Sequence, residues 1–222
     1  MKLVVLSCDK YEPCWKPFFT LLEKYYPHHP ETILITETKD CPYCKTIKVN
    51  SPIWSERFRE GLKQIEEDEV LIMLDDFFIR QPVDEERIKE AENLLKTSVG
   101  IACFNFEINY RQPVFYGLGS SWDIQANNQI YLNSCQPSIW DRNILIDRLQ
   151  QNQNAQDWET TVIDSPYIHC INNGDFIIDI GYRHQLLDIG FGITRGKLSK
   201  ECLEFLKKEG LVDEIINHYE LL

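Results

Sequence analysis

The chain has 222 residues, 43% of them hydrophobic and 12% aromatic, with a formal net charge of −12. That length and apolar content support a folded protein with a proper core rather than a disordered one. The acidic balance argues against nucleic acid as the main partner and against a broad electrostatic hold on an anionic membrane.

The first apolar run, Leu3–Leu6, reads as a buried strand, followed by a polar loop Ser7-Cys8-Asp9-Lys10-Tyr11. It meets Asp9 too soon for a signal peptide, and no later run has the length of a membrane span, so a cytoplasmic location is expected. Residues Trp15 to Tyr25 are expected to be helical, with Phe18, Phe19, Leu22 and Tyr25 on one side, stopped by Pro27-His28-His29-Pro30. Those two histidines read as a solvated turn. Thr32–Thr36 is a second strand.

Eight cysteines are scattered along the chain, which is too large to need disulfide stapling. Cys103 reads as a small core residue, as do Cys8, Cys135 and Cys170. Cys41-Pro42-Tyr43-Cys44 is identical to the active-site motif of glutaredoxins. That chemistry wants the first cysteine at a helix N-terminus, whereas Lys45–Val49 alternates and is β-branched, as a strand would be. A second ligand pair for zinc is missing at suitable spacing. The motif is expected to be a loop.

Phe58, Leu62 and Ile65 mark an amphipathic helix from about Ser55, with Glu66–Glu69 as its solvated end. Val70–Leu74 is five apolar residues in a row, too short for an ordinary helix and apolar enough to be covered on both faces, as in a parallel sheet. Asp75 and Asp76 stand where that strand ends, the position at which such sheets bind ligands. Adjacent carboxylates there suit a hard divalent cation, Mg²⁺ or Mn²⁺, that shares its shell with substrate phosphates; an ordinary turn is the plain alternative. Asp84 should cap a helix carrying Ile88, Ala91, Leu94 and Leu95, and Val99–Phe104 should return as a strand. Strand and helix in alternation predict a Rossmann-type α/β sheet.

Residues Asn105 to Asn128 lack helical period and suit irregular loops or antiparallel ribbon. Ile130 and Leu132 suggest a strand ending at Ser134, and Asp141 should cap a helix through Leu145 and Leu149. Gln150–Gln156 is expected to be a mobile polar loop. Tyr167–Ile171 and Phe176–Ile180 could pair as a hairpin across Asn172-Asn173-Gly174-Asp175. A basic turn, Thr194-Arg195-Gly196-Lys197, precedes a last helix capped by Ser199 and closed by Gly210. One domain spanning 1–222 is expected, with a nucleotide-binding half, 1–104, and an elaborated acceptor-side half, 105–222.

Taken together, Leu6-Ser7-Cys8-Asp9-Lys10-Tyr11, Trp54-Ser55-Glu56-Arg57, Leu74-Asp75-Asp76-Phe77-Phe78, Gln136-Pro137-Ser138-Ile139-Trp140, Asp157-Trp158-Glu159 and Ile193-Thr194-Arg195-Gly196-Lys197 resemble bacterial glycosyltransferases of the GT-A fold, of the polysaccharide-biosynthesis type. The resemblance implies a mixed, mostly parallel sheet flanked by helices, a nucleotide-sugar donor, and a glycan or lipid-linked saccharide acceptor. Peripheral contact with the inner membrane face would then come through the acceptor. Asp75-Asp76 departs from a literal Asp-x-Asp, which leaves open which carboxylate holds metal.

The residues suit that chemistry. Asp76, helped by Asp75, would hold the cation that stabilises a leaving diphosphate. Asp9 could bind base or ribose, Ser55 and Arg57 open a helix favourable to phosphate, and Arg195 and Lys197 could close over the diphosphate. Glu159, with Asp157 second, is the expected base for the acceptor hydroxyl in an inverting reaction, and Trp158 between them could stack on a sugar or lie in the core. The enzymatic rival is a sugar-phosphate nucleotidyltransferase, disfavoured because the loop after the first strand has no glycine. A catalytically silent carbohydrate-binding scaffold is the other alternative. His169 and His184 are read as structural.

Overall fold

The computed structural model describes residues 1–108, 114–117, 121–180, 192–194 and 196–222. Its first half runs β1 (Lys2–Leu6), α1 (Glu12–Tyr25), β2 (Thr32–Thr36), β3 (Lys45–Lys48), α2 (Trp54–Leu62), β4 (Glu69–Leu74), α3 (Glu85–Thr97) and β5 (Ile101–Ile108). The second half adds β6 (Val114–Gly117), β7 (Trp122–Gln125), β8 (Ser138–Asp141), α4 (Arg142–Arg148), α5 (Ala155–Thr160) and β9 (Ile168–Asn172). It closes with β10 (Ile193–Thr194), β11 (Lys197–Leu198), α6 (Lys200–Glu209) and β12 (Glu220–Leu221).

One sheet organises the molecule, in the order β3-β2-β1-β4-β8-β5-β9-β7-β6. All its strands except β8 and β7 run in the same direction. A small second sheet joins β10, β11 and β12. The fold is thus a mixed, mostly parallel α/β sheet flanked by helices, as expected.

The central strands are apolar throughout because both faces are covered. Leu3, Val5, Leu71 and Met73 point to one side, under Trp15, Phe18 and Leu22 of α1, Ile88 and Ala91 of α3, and Leu206 of α6. Val4, Leu6, Val70 and Ile72 point to the other, under Phe58 and Leu62 of α2, Leu145 of α4 and Trp158 of α5. The capping residues act locally as read. Asp84 accepts from Arg87 N at 3.1 Å, Asp141 from Ile144 N at 2.9 Å and Ser199 from Cys202 N at 3.1 Å. Gly210 ends α6 in the left-handed region at φ 71°.

Several expectations are corrected. Ile130–Leu132 is not a strand: Asn128 and Tyr131 take φ of 58° and 61°, which breaks an extended run. The strand of this region is β8, antiparallel between β4 and β5. Phe176–Ile180 does not pair with β9, because β5 and β7 already occupy both edges of that strand. Instead Asp84 N and Arg80 N donate to Ile177 O and Asp179 O, at 3.0 and 2.8 Å. The Gln150–Gln156 loop is ordered by buried Gln153 and by Asn154, which starts α5 with a reciprocal capping box. Val99 is fully exposed, and β5 begins after Gly100.

Candidate functional site

The chain goes from β1 to β2 on one side, and β4 adds on the other. The ends of β1 and β4 therefore flank a topological switch point, where open α/β sheets form their ligand crevice. Ser7-Cys8-Asp9 leaves one end and Asp75-Asp76 the other. The acidic pair occupies a tight turn in which Phe77 N donates to Leu74 O at 3.2 Å, anchored by buried Phe77, Phe78 and Ile79.

Asp75 is only 4% exposed. Its carboxylate accepts the Ser7 hydroxyl, which in turn accepts Trp15 Nε1 at 2.7 Å. Burial, and then the Asp76 charge, push the Asp75 carboxyl well above its ordinary value, while Ser7 and Trp15 pull the other way. Asp76 is half-buried, and removal from water lifts it to about 7 despite an N–H donated by Ile193. Around the pair lie groups that are neutral at pH 7. Burial first, then the negative field of the aspartates, raise Tyr11 and Cys14, and Cys202 to about 12; burial and then Cys14 raise Tyr219. Tyr219 Oη donates to Lys10 O at 3.4 Å and lies 3.5 Å from Cys14 Sγ, tying the C-terminal segment over α1.

Among the described residues no cation pairs with Asp75 or Asp76. Nor is there any group of three or more His, Cys, Asp or Glu placed to hold a metal. Among the described residues, what remains is two hard oxygen donors with no cation beside them, the Asp76 charge acting against ionisation of Asp75. That donor set suits Mg²⁺ or Mn²⁺ completing its shell with water and phosphate oxygens, and does not suit a dedicated all-protein cage.

The other candidate residues are placed as follows. Asp9 turns toward the chain after β2, accepting Thr38 N at 3.0 Å, Lys39 N at 3.1 Å and the Thr36 and Thr38 hydroxyls. Desolvation raises its carboxyl, but these donors outweigh it and hold the group at about 2. Ser55 is buried, its Oγ accepting Gln153 N at 3.1 Å. Arg57 is buried too, donating Nε to Ser7 O at 3.1 Å and Nη1 to Glu37 Oε1 at 3.0 Å and Ser51 O at 2.6 Å. Arg57 thus builds the floor of the β1 end and Ser55 holds the loop before α5, both buried instead of facing solvent. Lys197 sits on β11 within 3.6 Å of Glu220. Arg195 and His184 lie outside the described residues.

Glu159 accepts Cys135 N at 3.0 Å, and the Asp157 carboxylate accepts Asn154 N at 3.1 Å as part of the capping box of α5. Trp158 is 2% exposed and packs against Trp54 and Trp140, so it is a core residue rather than a sugar platform. These three tryptophans and Phe58 border a cavity with Leu6, Leu74 and Cys135; Glu159 is not among its lining residues and touches it through its bond to Cys135 N. His169 is buried between Cys103 Sγ and Ser165 Oγ, and burial, then Arg148, lower it to about 3.

Sequence reading missed Ser7 and Trp15 as partners of Asp75, and Gly192 and Ile193 as partners of Asp76. Gly192 has φ 103°, and a Cβ there would lie 2.7 Å from Asp76 O. The legible signal was position alone: Ser7 directly follows an apolar strand.

No protein-family model and no curated protein sequence matches the chain. Solved structures do. TarS of S. aureus superposes with a TM-score of 0.50 at 12% identity, covering 80% of this chain and 36% of TarS. Bifunctional IspDF of Campylobacter jejuni gives 0.42 at 15%, covering 68% and 43%. The galactosyltransferase LgtC in complex with donor and acceptor sugar analogues gives 0.41 at 13%, covering 72% and 68%. The chain thus spans under half the length of these TarS and IspDF chains. Its architecture, a switch-point sheet with an antiparallel insertion, is a GT-A-like fold.

Proposed function

We propose that this chain is a nucleotide-sugar-using transferase that moves a sugar, from a UDP-linked donor, to a glycan or glycolipid hydroxyl. The observation that carries this reading is the Asp75–Asp76 pair at the β1/β4 switch point of a GT-A-like sheet, with which no cation pairs among the described residues. A divalent cation held by Asp76 and Asp75 would supply Lewis-acid stabilisation of the leaving diphosphate. Asp9 and the chain it holds after β2 would border the nucleoside. Arg195 and Lys197 would contact the phosphates; Lys197 stands on β11, which pairs with the strand whose Ile193 N–H acts on Asp76. Glu159 would take the acceptor proton, with Asp157 holding the start of its helix, giving single-displacement inversion.

No helix among the described residues is long and apolar enough to cross a membrane. The test is thermal shift against UDP, GDP, CMP and dTDP, with and without Mn²⁺, because a ligand of the folded state raises the melting temperature. One nucleoside diphosphate should stabilise the protein more with Mn²⁺ than without, and Asp76→Ala should abolish the difference. Absence of any nucleotide response, or pyrophosphate release from a nucleoside triphosphate and a sugar phosphate, would overturn the reading.

A further inference from the structure

Cys41 and Cys44 take no part in the proposed transfer, yet the fold builds them as a pair. They lie in the turn between β2 and β3, with Pro42 and exposed Tyr43 between them. The turn is fastened on both sides. Cys41 N donates to Thr46 Oγ1 at 2.8 Å, and the Tyr43 ring stacks on Phe19 with centroids 5.4 Å apart. Both thiols are free. Cys44, separated from Cys41 by two residues of the turn, and the N–H groups of Tyr43 and Cys44 act electrostatically on the Cys41 sulfur. Convergent turn amides favour an anion at their focus.

We infer that Cys41 and Cys44 form a reversible disulfide within this turn, with Cys41 as the attacking thiolate, Cys44 as the resolving thiol and hydrogen peroxide as the oxidant. The Cys41 thiolate attacks one peroxide oxygen, the O–O bond breaks, and hydroxide leaves Cys41 as a sulfenic acid. The Cys44 sulfur then attacks the Cys41 sulfur. The S–S bond forms, the S–O bond breaks, and water departs with the thiol proton. Two sulfurs are oxidised by one equivalent each, and one peroxide is reduced to two waters. A thiol reductant returns the pair to the free state.

The donors agree with these roles: the bond from Cys44 and then the turn amides draw Cys41 down to about 7, and that same bond, then burial, raise Cys44. Burial instead raises Cys14, Cys103, Cys170 and Cys202. Cys41 is 7% exposed, which suits a peroxide-sized reagent and disfavours exchange with a protein disulfide. A strand follows the motif, not the helix that glutaredoxin chemistry uses. The same connection carries Thr38 and Lys39, which Asp9 holds beside the β1 end, so the disulfide would stiffen the rim of the candidate site.

The test treats the reduced full chain with graded hydrogen peroxide, alkylates it, and analyses the tryptic peptide Asp40–Lys45, which holds both thiols and no other cysteine. The peptide should lose two hydrogens, regain them with dithiothreitol, and do so at peroxide doses at least ~10-fold below those that oxidise the chain in urea. In Cys44→Ser, Cys41 should instead be trapped by dimedone as the sulfenic acid. Continued alkylation of both cysteines at those doses, or direct passage of Cys41 to sulfinic acid in the unmutated chain, would overturn the inference.

Discussion

The Ser7 hydroxyl donates to the Asp75 carboxylate, joining the C-terminal ends of β1 and β4 across the switch point. The bond is buried, and the Trp15 indole completes it from α1. Ser7→Ala would leave both an indole N–H and a carboxylate short of a partner. Losing such a bond costs about 1–3 kcal/mol, and urea denaturation should show a loss in that range. Unchanged stability would mean that Asp75 finds another donor.

The acidic pair carries a pH dependence of definite sign. A carboxyl whose folded pKa exceeds its unfolded one binds more protons folded than unfolded, so stability falls as pH rises between the two. For Asp76 that window runs from 3.8 to about 7, and Asp75 acts in the same direction. Asp9, held at about 2, does the opposite: its contribution is present above 3.8 and lost as pH falls toward 2. Asp76→Asn should therefore gain on the unmutated protein as pH rises through the upper window, measured by melting temperature. Saturating Mn²⁺ should reduce that advantage. A gap that stays constant with pH would refute the assignment.

Gly192 is fixed by both its backbone and its neighbour. A left-handed φ and a carbonyl 2.7 Å from the would-be Cβ leave alanine no relaxed position. Gly192→Ala should cost about 1–3 kcal/mol and weaken nucleotide-dependent stabilisation, because the strained atom is the Asp76 carbonyl. Thermal shift reads both effects in one experiment.

Arg57 has become architecture. Replacing its fork with lysine removes the geometry that serves Ser7 O, Ser51 O and Glu37 together. Arg57→Lys should destabilise the fold by about 2–4 kcal/mol, since a buried guanidinium is not replaced by a point charge. If the variant instead keeps its stability and loses nucleotide affinity, Arg57 is a ligand after all.

Glu159 separates structure from catalysis. Glu159→Gln keeps a carbonyl oxygen for Cys135 N. A base at this position predicts a drop in kcat of about 10²–10⁴ with the melting temperature little changed. Activity within a few-fold of the unmutated enzyme would remove Glu159 from the mechanism.

The alternation of buried strands and amphipathic helices, the caps at Asp84, Asp141 and Ser199, and the site of the acidic pair at the end of β4 were all legible in the sequence. Each rests on local chemistry: an apolar run must be covered, a helix start needs an acceptor, and a strand end opens onto the crevice. Tertiary structure decided the rest. Whether Ser138–Asp141 is a strand depended on β4 and β5 leaving a gap between them. Whether Ser55 faces a ligand depended on Gln153, 98 residues away. How far Asp75 and Asp76 are removed from water depended on every neighbour that packs around them. A buried polar group must bond with whatever the fold brings to it, and those partners come from chain segments that no local pattern connects.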